Sequence, residues 1–371
     1  MAEVSPKSSS GHGAGRPPAL KLEGVQKSYG GVRALEPTDL TVREGEIVTL
    51  LGPSGSGKST ILSIAAGITE PDAGRVVFHG EDYTHRPMHL RGVGMVFQRY
   101  TLFPNKTVAE NVAFPLQVRR LPRDEVAARV ERFLALVSLT AQADRYPSQI
   151  SGGQAQRVAL ARALVFEPSL LLMDEPLGAL DRRLRQDLQE EIRRIQQATG
   201  VPTLYVTHDQ EEAMNLSDCI VIVRDGRIVA SGGPRELYRD PSTLWNAAFL
   251  GDVNARRLAS WELRSDGLAR ALTESGTATF ARAPESGKVD DAHVVIRPER
   301  CIVALDHPVT ENAYRGTVIG TTYLGAQQRV DVRLEDGWEL RAVLPGDQPP
   351  PGVGESVYCG WDPDAALIVA G

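Results

Sequence analysis

The chain has 371 residues, long enough for a large domain with a smaller one beside it. Its net charge is −6, with acidic and basic residues intermixed, so no overall basic field suits it to nucleic acid or an anionic membrane. Cys219, Cys301 and Cys359 are scattered and odd in number, which argues against a disulfide framework or a zinc site and for a reducing compartment. No stretch reaches the roughly 18 to 20 apolar residues that a membrane helix requires.

In chain order, residues 1–18 are rich in Ser, Gly and Pro without an apolar signal core, which predicts a disordered cytoplasmic tail. Leu20, Leu22 and Val25 then alternate as in a half-buried strand that ends at Tyr29-Gly30-Gly31. Tyr29 offers a flat face for a purine, although a lone tyrosine before a turn is more often a rim residue. Ile47-Val48-Thr49-Leu50-Leu51 reads as a buried strand, and it runs into Gly52-Pro53-Ser54-Gly55-Ser56-Gly57-Lys58-Ser59. That run matches the phosphate-loop (Walker A) pattern G-x-x-x-x-G-K-[ST], and Thr60 continues it into an apolar helix. Strand, glycine turn and helix start aim backbone N–H groups at one point, where the helix dipole favours an anion. Gly52 through Thr60 are therefore the expected nucleotide contacts, with Lys58 on the outer phosphates and the Ser59 hydroxyl placed to ligate Mg2+.

Residues 74–80 form a further strand bounded by glycines, and Met95-Val96-Phe97 ends on the polar Gln98. From Arg99 to about Gln149 the character turns helical, with Val126, Val130, Phe133, Leu134 and Val137 on one face. Ser151-Gly152-Gly153-Gln154 opens another helix. Ser151 is a natural N-cap, and the two glycines behind it leave a bare end, a second anion site, although taken alone such a start is more often simple capping. Leu170 to Met173 read as a central parallel strand that delivers Asp174 and Glu175 to its carboxyl end. There Asp174 would hold the Mg2+ shell, and Glu175 would orient or deprotonate the attacking water. Leu180, Leu184, Leu188, Ile192 and Ile195 mark the buried stripe of the next helix. The strand 203–207 brings His208 to the same edge, placed to hydrogen-bond the terminal phosphate or the water. Residues 220–230 read as a hairpin turning at Asp225-Gly226.

Taken together, these motifs resemble the ATP-binding subunits of ABC transporters across about residues 20–251. The resemblance makes Tyr29 the adenine-stacking aromatic and Gln98 the glutamine linking Mg2+ to the membrane partner. It makes Ser151, Gly152, Gly153 and Gln154 the signature motif, and Asp181, in Gly178-Ala179-Leu180-Asp181, part of the loop crossing between two subunits. Glu175 and His208 become the catalytic glutamate and the switch histidine. Two departures, Ile150 for the usual Leu and Ala155 for Gln, leave the phosphate-contacting Ser and glycines in place. The family implies a head-to-tail homodimer sandwiching two ATP molecules. Tyr100, Leu102, Phe103 and Pro104, beside Gln98, resemble the surface that receives a helix of the permease.

Beyond residue 252 short alternating strands take over. Val330, Val332 and Leu334 alternate, Asp336-Gly337 makes a turn, and Leu340, Val343 and Leu344 follow. Residues 294–299 and Tyr323-Leu324-Gly325 resemble the small barrel appended to bacterial import ATPases for polyamines, ferric iron, sulfate and sugars. From Val253 onward 17 acidic and 12 basic residues leave an acidic excess of five, so a regulatory or dimer-bracing barrel is expected rather than an oligonucleotide binder.

The expected fold is an α/β P-loop NTPase (ABC ATPase) domain, residues 19–252, with a helical subdomain at about 99–160. A small all-β, OB-like (TOBE) barrel follows at 253–371. The expected function is an ATPase with ATP and Mg2+ as cofactors, peripheral on the cytoplasmic face of the inner membrane. It would energise permease subunits fed indirectly by a solute-binding protein, with polyamine the favoured solute and ferric iron, sulfate or sugar the alternatives. A soluble nucleic-acid ATPase usually carries two cassettes or long coiled-coil insertions, and neither is present. A binder without turnover would not need Glu175, His208 and an intact signature.

Overall fold

Two antiparallel strands, β1 (Leu20–Tyr29) and β2 (Val32–Val42), open the described chain. They turn through Gly30 and Gly31, at φ 53° and 85°, the positive values that a two-residue turn matched to strand twist requires. The computed structural model describes residues 17–98, 101–178, 182–284 and 287–371, and the chain divides into two units after Pro234.

In the first unit, β3 (Ile47–Leu51) leads to α1 (Lys58–Ala66), followed by β4 (Ala73–Phe78), β5 (Glu81–Asp82) and β6 (Val93–Val96). Next come α2 (Val108–Val118), α3 (Arg123–Leu136) and α4 (Gly152–Leu164), then β7 (Leu170–Asp174), α5 (Arg182–Thr199) and β8 (Thr203–Thr207). The unit ends with α6 (Gln210–Leu216), β9 (Cys219–Arg224) and β10 (Arg227–Gly232). One sheet has the order β2-β1-β4-β5; the central six-stranded sheet runs β10-β9-β3-β8-β7-β6, parallel except at β10.

The central strands are apolar on both faces because both are covered. Leu170, Leu172, Leu204 and Val206 face the core that holds Ile61, Leu62 and the β1–β2 hairpin. Leu171, Met173 and Tyr205 face a second core built from α2, α3, α4 and α5. On α3, Val130, Phe133, Leu134 and the C-cap Val137 are buried as their spacing predicts, with Val126 half-buried against them. Leu188, Ile192 and Ile195 of α5 are buried and Leu184 is partly so; Leu180 lies outside the described residues.

The second unit begins at Arg235, one residue into α7 (Pro234–Arg239), and continues with α8 (Leu244–Phe249). The sequence places the boundary near residue 252, but Arg297 donates to the carbonyls of Tyr238, Ala247, Gly251 and Asp252, fixing both helices to this unit. Its strands are β11 (Asn254–Leu263), β12 (Leu268–Thr273), β13 (Ala278–Arg282), β14 (His293–Ile296) and β15 (Ile302–Ala304). They continue with β16 (Asn312–Tyr323), β17 (Gln327–Leu334), β18 (Glu339–Pro345), β19 (Ser356–Trp361) and β20 (Ala366–Val369). A closed barrel forms in the order β11-β12-β13-β20-β14. Between β14 and β20 the chain builds a further five-stranded sheet, β15-β19-β16-β17-β18, so the expected barrel has a companion that the sequence does not announce. Val330, Val332 and Leu334 point into the shared core; on β18 the inward pair is Leu340 and Ala342, with Val343 and Leu344 only half-buried.

Candidate active site

The carboxyl ends of β3, β7, β8 and β6 carry the loops that bear Lys58, Glu175, His208 and Gln98. A parallel sheet covered on both faces leaves this edge as its natural ligand site.

The phosphate loop takes a shape that only glycine permits at two points. A Cβ on Gly52 would lie 2.1 Å from the Val223 carbonyl oxygen, and one on Gly57, at φ 107°, would lie 2.8 Å from the Ala34 oxygen. Gly57 is also the N-cap of α1, so no side chain satisfies the first N–H groups of that helix. Pro53, Ser54, Gly55 and Ser59 are exposed, and Thr60 is half-buried. The Ser56 hydroxyl is buried with no hydrogen-bond partner among the described residues. Lys58 is almost fully buried, and its Nζ donates to the Gly52 and Pro53 oxygens at 2.8 Å each. Burial lowers its pKa, and the nearby Glu175 and Asp174 oppose that shift. An uncapped helix start, an orphaned hydroxyl and a desolvated ammonium form a cradle for polyanionic phosphate.

Asp174 ends β7. Burial and the adjacent Glu175 raise its pKa, while a hydrogen bond from Ser59 and the charge of Lys58 pull it down. Glu175 stands at φ 42°, a left-handed conformation that a side chain adopts only under constraint, and its N–H is held by the Val206 oxygen at 3.0 Å. Its carboxylate is bracketed: Gln98 Nε2 donates to Oε2 at 3.3 Å, and His208 Nδ1 stands 3.2 Å from Oε1. Gln98, Asp174, Glu175, His208, Lys58 and Ser59 thus belong to one edge. Glu212 is a supporting residue that the sequence does not flag. Buried on α6, it accepts hydrogen bonds from the Tyr205 and Thr207 hydroxyls at 3.0 and 2.8 Å, fixing the strand end before His208.

Tyr29 ends β1, half-exposed, with Lys27 Nζ 5.7 Å from its ring centre. At the start of α4, Ser151 is the N-cap that the sequence suggests. Ser151 Oγ accepts from Gln154 N at 3.3 Å, and Gln154 Oε1 accepts from Ser151 N at 3.0 Å. This reciprocal capping box engages the Gln154 N–H of the helix start and the Ser151 N–H, because a Gln three residues after the cap reaches back to it. Gly153 is buried, and a Cβ there would meet Leu184 Cδ1 at 2.9 Å. Asp181 and Tyr100 lie outside the described residues. Among the described residues no cluster of three or more His, Cys, Asp or Glu side chains is arranged to hold a metal, and no helix is long and apolar enough to cross a membrane.

The family described as "ABC transporter" matches residues 35–178, and the "TOBE domain" family matches residues 294–369. The sulfate/thiosulfate import ATP-binding protein CysA of Synechococcus elongatus is 42% identical over 329 residues, 89% of this chain and 90% of that protein. The spermidine/putrescine import ATP-binding protein PotA of Haemophilus influenzae is 41% identical over 83% of each chain. The putrescine transport ATP-binding protein PotG of Escherichia coli is 40% identical over 95% of each. Among solved structures, cbiO1 of Clostridium perfringens, part of the ABC transporter complex cbiONQ, aligns with a TM-score of 0.57 and 31% identity, covering 60% of this chain and 90% of that one. With this phosphate loop, this paired acid edge and relatives of this extent, the chain belongs to the family of ABC import ATP-binding proteins: it is an ATP-binding ATPase with a C-terminal TOBE domain.

Proposed function

We propose that this ATPase works as a Mg2+-dependent, head-to-tail homodimer on the cytoplasmic face of the inner membrane, driving solute import through separate permease subunits. The observation that carries the reading is the bracketing of Glu175 by Gln98 and His208 beside Asp174. Ser59 and Asp174, with Gln98 within reach of Glu175, offer hard oxygen ligands at the mouth of the phosphate loop. A Mg2+ held there with ATP would neutralise phosphate charge. Lys58 is held over the loop for the outer phosphates, and Tyr29 presents its face for the adenine. Glu175 is the general base or orienter for the attacking water, and His208 keeps its carboxylate aimed. The α4 start would serve the nucleotide of the opposite subunit. Release of the Ser151–Gln154 box would free its donors, and Asp181 would lie at the crossing between subunits.

Polyamine is the proposed solute, with sulfate the main alternative; relatives named for each are 40–42% identical to the chain. The TOBE unit is proposed to brace or regulate the dimer. The test is uptake of labelled putrescine and labelled sulfate in cells deleted for the chain and complemented by it or by Glu175→Gln. Restoration of putrescine uptake by the native chain alone supports the reading. Restoration of sulfate uptake alone moves the solute, and restoration by Glu175→Gln removes the coupling to hydrolysis.

A further inference from the structure

The end of β8 holds a buried polar cluster that the proposed hydrolysis does not itself use. Tyr205 and Thr207 share one face of the strand, and both hydroxyls donate to the same oxygen, Glu212 Oε2, at 3.0 and 2.8 Å. All three side chains are buried. The Thr207 hydroxyl also accepts from Asp209 N at 3.0 Å, so one oxygen joins the residues immediately before and after His208. Asp209 is the N-cap of α6, and its Oδ1 accepts from Glu212 N at 3.1 Å, which closes the network on the residue where it began. From α5, Arg185 Nη1 donates to Asp209 Oδ2 at 2.8 Å, and its Nε stands 3.9 Å from Glu212 Oε1. Burial raises the pKa of Glu212, against the hydroxyls of Thr207 and Tyr205 and the charge of Arg185 that hold it down; the Asp209 charge adds to the rise. Packing alone gives no reason for that cost, since apolar side chains of similar size would fill the same space without burying a carboxylate. What the polar cluster adds is a fixed direction for the backbone around His208.

We propose that Glu212 is a positioning residue for His208, acting through the Thr207 hydroxyl to fix the chain on both sides of the histidine, so that the imidazole stays at the Glu175 carboxylate. Arg185 ties the same turn to α5 and keeps it from opening. The clamp reaches the hydrolytic edge from behind β8 and leaves the phosphate loop alone. The inference rests on the reading of His208 as the residue that aims Glu175.

The test is a double-mutant cycle on ATP hydrolysis by the full chain, with Thr207→Val and His208→Ala separately and together, slow variants being followed by single-turnover hydrolysis. Thr207→Val keeps the branched shape and removes the hydroxyl. It is expected to lower kcat about tenfold while KM for ATP stays within about twofold. Beside His208→Ala it costs less than about twofold, because the residue it acts through is gone. Glu212→Gln, whose amide oxygen can accept from the same two hydroxyls, keeps most of the native rate, whereas Glu212→Ala loses as much as Thr207→Val. Equal fold losses from Thr207→Val in both backgrounds, no loss from it, or equal losses from Glu212→Gln and Glu212→Ala overturn the proposal. Where Thr207→Val or Glu212→Ala does not fold, the other runs the same cycle. Hydrolysis at the native rate by His208→Ala alone overturns the underlying reading of the histidine instead, a result distinct from either outcome of the cycle.

Discussion

Glu175 and His208 meet with Oε1 3.2 Å from Nδ1, at the ends of two neighbouring parallel strands. The strained backbone at Glu175 and the Thr207–Glu212 hydrogen bond behind His208 fix both partners from their own sides. On the role proposed for His208, His208→Ala removes the group that aims the carboxylate and leaves the phosphate loop untouched. Steady-state kinetics should show kcat falling about a hundredfold with KM for ATP nearly unchanged. A matching rise in KM would place His208 in nucleotide binding.

Lys58 supplies the next test, because its Nζ is the donor to two loop oxygens in a desolvated position. Lys58→Ala should weaken ATP binding at least about tenfold by equilibrium titration and destabilise the first unit by roughly 1–3 kcal/mol in denaturant unfolding. Intact ATP affinity would remove the lysine from the phosphate cradle.

Ser151→Ala breaks the capping box and should cost about 1 kcal/mol of stability. ATP binding to the isolated chain should be unchanged while hydrolysis falls, since the α4 start is proposed to serve the opposite subunit's nucleotide. Gly153→Asp should also abolish hydrolysis, but its Cβ presses on Leu184. Leu184→Ala beside it separates crowding from loss of the anion site: rescue by Leu184→Ala would mean that the glycine matters only for packing.

Glu212 gives a pH signature. Burial raises its pKa from the ordinary value of 4.5, so the folded state binds its proton more tightly than the unfolded state. Its ionisation therefore lowers stability as pH rises from about 4.5 through the raised folded value, and the penalty is complete above that value. Glu212→Gln carries no such proton. Chemical denaturation from pH 4 to pH 8 should show the variant gaining on the native chain as pH rises, and a constant difference would contradict the buried-acid account.

Much of this site is legible in the sequence because its chemistry is local. Gly52 and Gly57 lie where a side chain would strike another backbone, and the four-residue apolar run before Asp174 already implies a strand covered on both faces. The Ser151 end is legible too, yet its sequence admits both an open anion site and a capping box. Three residues of spacing allow Gln154 to close it, and pattern alone does not choose. Glu212 is invisible at that level, since a charged side chain on an amphipathic helix reads as solvated until the strands it packs against are known. The barrel's companion sheet stays hidden for a related reason. Alternation on β18 admits Val343 inward as readily as Ala342, and register with β17 decides.

The most direct measurement is the mass of the Glu175→Gln chain in solution with saturating MgATP, by light scattering on a sizing column. The account predicts a dimer that retains unhydrolysed ATP and falls back to monomer when the nucleotide is removed. A chain that stays monomeric with ATP bound, or that turns ATP over at the native rate, contradicts it.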